Sequence, residues 1–110
     1  MAKNGGEDMK IDIEKEKRNY FGLFYSLIPA MLEKLYENKH KKGWENIDFE
    51  YASNRILDEY RELKEAIIDN DIKEIRREAA DIANFSAMII YQCDKKLRLW
   101  RRTNNRCKIL

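Results

Sequence analysis

Residues 48–93, DFEYASNRILDEYRELKEAIIDNDIKEIRREAADIANFSAMIIYQC, decide the fold of this chain. Apolar side chains recur at three- and four-residue steps through Ile56, Tyr60, Leu63 and Ile67. They do so again through Ile75, Ala79, Ile82, Ser86, Ile89 and Cys93. That is the period of an amphipathic helix, not the alternation of a strand. Between the two runs, Asp69-Asn70-Asp71 is a cluster of turn residues, so two helices joined by a tight turn are expected. Asp48 is placed to cap the first near Phe49, and Asp71 to cap the second. The second is expected to run on through Leu97 and Trp100 before its basic end frays.

Upstream, Phe21, Phe24, Ile28, Met31, Leu32 and Leu35 give a further helical run over about residues 20–37. Pro29 lies inside it, which predicts either a kink or a fresh helix with Pro29 in its first turn. Residues 38–46 read as a charged loop punctuated by Gly43. The expected fold is therefore all-α, a bundle of three main helices per chain completed by oligomerisation. The expected organisation is a flexible segment over residues 1–16, a helical domain over 17–97 and a basic tail over 98–110.

Composition agrees. Among 110 residues there is no Val, one Thr (Thr103) and thirteen Ile, with four Gly, one Pro and two Cys. A sheet protein needs β-branched runs broken by turn formers, and collagen-like or disulfide-stapled chains need Gly, Pro or Cys. Intrinsic disorder does not suit 44% apolar and 11% aromatic residues at a net charge of +2. That small total hides an asymmetry. Residues 95–110 carry seven cations (Lys95, Lys96, Arg98, Arg101, Arg102, Arg106 and Lys108) and no acid, so the preceding body is net acidic. No apolar run approaches the roughly 20 residues of a membrane span. Cys93 and Cys107 have no metal-type spacing, and two unpaired thiols suit a reducing cytoplasm.

The acids carry the chemistry. Glu59 and Glu62 project from one side of the second helix, in a stripe with Arg55 and Ala66. Glu78 and Asp81 do the same on the third. Both stripes border the apolar ones, so packing of the two helices is expected to bring four carboxylates together at the edge of the core. Each close pair of charges then repels by about 4 kcal/mol at an effective dielectric near 20. Such a cluster persists if some members are protonated, if Arg or Lys neutralises them, or if a cation binds. Oxygen ligands without Cys or His favour Mg²⁺ or Mn²⁺ over zinc. On spacing alone, boundary acids exchanging salt bridges with Arg55, Arg61, Arg76 or Arg77 are the commoner arrangement.

Asp58-Glu59-Tyr60-Arg61-Glu62-Leu63, followed after fifteen residues by Glu78-Ala79-Ala80-Asp81, resembles the EExxE…ExxD signature of the MazG-like all-α NTP pyrophosphohydrolases. Asp58 stands where Glu is usual. Asn38-Lys39-His40 and Lys42-Gly43-Trp44 are similar to the N-K-H…K-G-W stretch of small phage and archaeal members. The likeness spans about residues 20–92. It implies that Glu59, Glu62, Glu78 and Asp81 bind Mg²⁺, with Mn²⁺ as an alternative. It also implies hydrolysis of a nucleoside triphosphate, NTP or dNTP, between the α- and β-phosphates, giving NMP and pyrophosphate.

With no Gly-rich phosphate loop, the phosphates are expected to be held by metal and cationic side chains. Lys39 and Lys42 are the candidates, with Trp44 as a wall for the base. Asn84, one turn after Asp81, is a candidate for a metal water, sugar or base, or else a satisfied polar residue inside the bundle. Family members assemble as dimers or tetramers, and the broad apolar surface of the first helix independently predicts a homo-oligomer. A different class of function is a helical oligomer that binds nucleic acid through the basic tail, with Trp100 stacking. That reading needs the tail and ignores the acids.

Overall fold

The computed structural model describes the backbone of residues 5–109 and the side chains of residues 12–99. Three helices, α1 (Gly5–Glu37), α2 (Phe49–Ile68) and α3 (Ile72–Ile109), make up the fold, and no strand occurs among the described residues. A short 3-10 turn, Trp44–Asn46, precedes α2. No helix among the described residues is long and apolar enough to cross a membrane.

The expected caps are in place. The Asp48 side chain accepts from the Tyr51 amide at 3.2 Å, and that of Asp71 accepts from the Glu74 amide at 3.2 Å. Each satisfies a backbone N–H that the first helical turn leaves without an intrahelical partner. Asn70 takes a left-handed conformation (φ 53°) in the tight turn, as Asn tolerates. Gly43 does so at φ 98° in the loop before the 3-10 turn, where a side chain is disfavoured. Three points differ from the sequence reading, one of them that α3 continues to Ile109 through residues expected to fray as a separate tail. α1 begins at Gly5, well before Tyr20, and takes in most of the segment expected to be flexible. It also runs unbroken through Pro29, so no new helix starts there.

α3 is the spine. α2 folds back against it and α1 packs on it antiparallel, while α1 and α2 do not pack on each other among the described residues. The α1–α3 register is set by polar contacts. The Asn84 side-chain amide donates to the Met31 carbonyl (3.1 Å), Lys34 pairs with Asp81 (3.4 Å), and Arg77 reaches Glu37 through two nitrogens (2.7 and 3.1 Å). Arg76 reaches Glu33 at 2.6 Å.

The most deeply buried positions are not the ones hydrophobicity predicts, although Ile56 and Leu63 of α2 and Ile75, Ile82 and Ile89 of α3 are half-buried. On α2 the buried residues are Ala52, Glu59 and Ala66, while Tyr60 and Ile67 stay exposed. On α3 they are Glu78, Ala80, Asn84 and Gln92. α1 turns Leu27, Ala30, Met31 and Lys34 inward, with Asn38 half-buried just past its end, and leaves Phe21, Phe24, Ile28, Leu32 and Leu35 outside. Small alanines let the helices approach closely, and the carboxylates lie within the contact instead of at its edge. Burial is correspondingly thin: the buried apolar residues are four alanines, and no large side chain is fully buried among the described residues.

The shape follows from this. The radius of gyration is 19.6 Å, against about 13 Å for a compact domain of this length. The accessible surface is 9464 Å², against about 6,500 Å² for a compact monomer of this mass. Much of the surplus is apolar, on the outer face of α1 and along Leu57, Tyr60, Ile67 and Ile68 of α2.

Candidate metal centre

The buried stripe of α2 meets that of α3 at three carboxylates. One oxygen each from Glu59, Glu78 and Asp81 lies within 4.8 Å of the others. Glu59 and Glu78 are only 5% and 6% exposed, and Asp81 is half-buried. Glu62, the fourth acid of the signature, is exposed one turn along α2. It lines a cleft of about 370 Å³ with Glu65, Ala66, Asp69, Asp71, Glu74 and Glu78. The structure thus brings three of the four sequence-predicted acids into one tight set, with the fourth beside it.

Two cations offset this charge. Arg55 donates to Glu59 at 2.8 Å and to Asp58 at 3.3 Å, its guanidinium lying 5.7 Å from the centre of the Phe85 ring. Lys34, from α1, lies 3.4 Å from Asp81 and 3.4 Å from Glu37. Arg61, Arg76 and Arg77 pair with Asp58, Glu33 and Glu37, outside the three-carboxylate set.

Neither Glu78 oxygen has a cationic partner, and its Oε2 is buried without any hydrogen-bond partner among the described residues. Burial, followed by the neighbouring carboxyls of Glu59, Glu74 and Glu62, pushes the Glu78 carboxyl up to about 9. Burial also raises Glu59; a hydrogen bond from the protonated Glu78 works against that rise, and Glu62 and Asp81 add to it. The Glu78 carboxyl therefore favours its protonated form at neutral pH, which relieves part of the repulsion that a cation would otherwise offset. A buried carboxyl oxygen with no partner, inside an all-oxygen donor set, fits a hard divalent ion. Glu59, Glu78 and Asp81 would hold it, with Glu62 alongside.

The remaining candidates are placed differently. Asn84 is 5% exposed and its amide nitrogen is used on Met31, which ties α1 to α3; only its buried Oδ1 is without a partner. Trp44 packs edge-to-face on Tyr91, with ring centres 5.5 Å apart. Tyr91 lies ten residues past Asp81, about 15 Å along the α3 axis. The 3-10 turn is fastened there because Gln92 and Lys95 donate to the Glu45 carbonyl and Lys95 also reaches Asn46. Lys39 sits over the Tyr36 ring at 4.2 Å, and Lys42 is exposed in the loop. Within one chain, Trp44 and the acids are therefore at separate places on α3, while Lys39 lies at the C-terminal end of α1. Trp100 and the tail cations from Arg101 onward lie outside the described side chains.

Sequence reading missed Lys34 and Glu74. Lys34 was legible as the one charge within the inward α1 stripe of Leu27, Ala30 and Met31. Glu74 precedes Glu78 by one helical turn, and its role as an N-terminal acid of α3 masked its nearness to the cluster. Taken together, fold and site define an all-α chain with a buried carboxylate cluster suited to a divalent cation. No family model, curated protein or solved structure matches the chain.

Proposed function

We propose that this protein is a Mg²⁺-dependent nucleoside triphosphate pyrophosphohydrolase of the MazG-like type, cleaving NTP or dNTP to NMP and pyrophosphate. The observation that supports it best is the Glu59–Glu78–Asp81 oxygen set, closed to 4.8 Å by two helices whose acids follow the EExxE…ExxD spacing. A hard divalent ion held there, Mg²⁺ or Mn²⁺, neutralises phosphate oxygens and makes a water more acidic.

The chain's own residues do the rest. Arg55 holds Glu59 in place, and Asn84 fixes α1 so that its face closes over Asp81. The carboxyls that do not contact the ion are placed to take a proton from the attacking water, and Glu62, exposed on the cleft, is the one nearest solvent. In-line displacement at a phosphate needs little beyond positioning and charge compensation, so no further nucleophile is required.

The working unit in this reading is a homo-oligomer, a dimer or tetramer. The surface in excess of a compact monomer is about 3,000 Å² per chain, more than the roughly 1,000–2,500 Å² that each partner buries in an obligate interface. Assembly is also the route by which Trp44 of one protomer comes to another's acids. The free thiol of Cys93 suits the cytoplasmic protein of this reading. The test is a panel of canonical and modified NTPs and dNTPs with Mg²⁺, scored for pyrophosphate release. Glu62→Ala and Asp81→Ala should abolish release without loss of helical signal. No release from any triphosphate by the wild type, or full activity in both variants, overturns the proposal.

A further inference from the structure

The cations at the carboxylate cluster are not alike. Arg55 is committed to Glu59 through a 2.8 Å hydrogen bond, and Arg77 to Glu37 through a 2.7 Å one. These are the short lengths of charge-assisted bonds. Lys34 differs. Its Nζ stands 3.4 Å from Asp81 and 3.4 Å from Glu37, ion-pair distances that leave room for its three N–H donors to turn elsewhere. Its side chain is only 12% exposed, so it is held at the cluster and does not sweep through solvent.

Two features fix that position. Asn84 clamps the α1 backbone at Met31, one turn before Lys34, and Arg77 grips Glu37, one turn after it. Lys34 is thus the point where α1 delivers positive charge to the acids of α2 and α3. Asp81, as one of the three carboxylates that would hold a divalent ion, would then share its charge between that ion and Lys34, and its hold on Lys34 would weaken. An ammonium freed beside a divalent ion is placed for an oxyanion that the ion also binds. Trp44 and the 3-10 turn are fastened about 15 Å farther along α3, whereas Lys39, just past the end of α1, rests over the Tyr36 ring.

We propose that Lys34 is the polyphosphate-binding cation of this site, the α1 residue that engages substrate phosphate oxygens next to the carboxylate-held metal. The inference rests on the pyrophosphohydrolase reading for its substrate, but its test uses no nucleoside. Inorganic tripolyphosphate with Mg²⁺ is titrated calorimetrically into the full-length chain. Mn²⁺ binding without phosphate is followed separately by electron paramagnetic resonance.

Lys34→Gln should weaken tripolyphosphate binding by about 10- to 100-fold, the worth of one charged hydrogen bond. Mn²⁺ affinity should hold or tighten, because Asp81 loses a competing cation. Lys34→Arg, which keeps the charge, should recover most of the loss, and Lys17→Gln, an exposed lysine of α1 paired with Glu14 well away from the cluster, should bind tripolyphosphate as the wild type does. Tripolyphosphate affinity within twofold of wild type in Lys34→Gln overturns the assignment. So does parallel loss of Mn²⁺ binding, an arginine variant as weak as the glutamine one, or a wild type that does not bind tripolyphosphate. If Lys34-dependent tripolyphosphate binding is found but no nucleotide is hydrolysed, the proposed reaction falls and the role of Lys34 stands.

Discussion

Replacing Glu78 by Gln probes the buried proton directly. Two unit charges 4.8 Å apart repel by about 3.5 kcal/mol at an effective dielectric near 20. Ionising Glu78 against anionic Glu59 and Asp81 therefore costs about twice that before Arg55 and Lys34 compensate. The carboxyl keeps its proton up to about 9 when folded, against an ordinary value of 4.5. Between these values the folded chain holds a proton that the unfolded chain has released. Stability is therefore complete below about 4.5 and falls as pH rises toward 9, by at most about 1.4 kcal/mol per pH unit.

Glutamine keeps the shape and a hydrogen-bond donor toward Glu59 but cannot ionise. Urea melts in chelated buffer, at one protein concentration, should show wild type losing more stability than Glu78→Gln between pH 6 and pH 8, by at most about 3 kcal/mol. Added Mg²⁺ should raise the Tm of wild type, more strongly at pH 8 than at pH 6, and should leave Glu78→Gln nearly unchanged. Identical pH profiles in the two proteins would refute the account of the buried pair.

Other consequences are simpler to state. Ala52, fully buried where α2 meets α3, has no room for a larger side chain; Ala52→Leu should cost about 1–3 kcal/mol in thermal or urea melts. Asp48→Ala removes the cap on the Tyr51 amide and should cost about 1 kcal/mol, read by circular dichroism. Phe21→Glu together with Phe24→Glu places charge on the exposed apolar face of α1, and analytical ultracentrifugation should show the assembly shifted to smaller species. An unchanged sedimentation profile would place the interface elsewhere.

Helix type and connection were legible in local signals. Asp48 and Asp71 cap their helices as their positions ahead of the apolar runs suggest, and Asp69-Asn70-Asp71 turns the chain in three residues. Which face of each helix is buried was not legible. Hydropathy points to Ile56/Tyr60/Leu63/Ile67, yet Ala52, Glu59 and Ala66 face α3, because close helix approach is decided by small residues and by the partners of polar ones. The outward apolar stripes of α1 and α2 have no partner within the described residues of the chain and are accounted for by the proposed assembly. Of the site, the four acids could be read from their spacing, while the Glu78 proton, Lys34 and Glu74 depend on contacts between helices. The separation of Trp44 from Asp81 along α3 depends on Gln92 and Lys95 fastening the 3-10 turn, and neither residue signals that in sequence.

The central claim concerns which bond is cut. ³¹P nuclear magnetic resonance of a nucleoside triphosphate incubated with the full-length protein and Mg²⁺ reads it directly. The account predicts that the α-, β- and γ-phosphorus signals give way to those of a monophosphate and pyrophosphate, and that Glu59→Gln and Asp81→Asn leave the triphosphate intact. Orthophosphate with a diphosphate, or an unchanged spectrum across the substrates that the wild type binds, would contradict it.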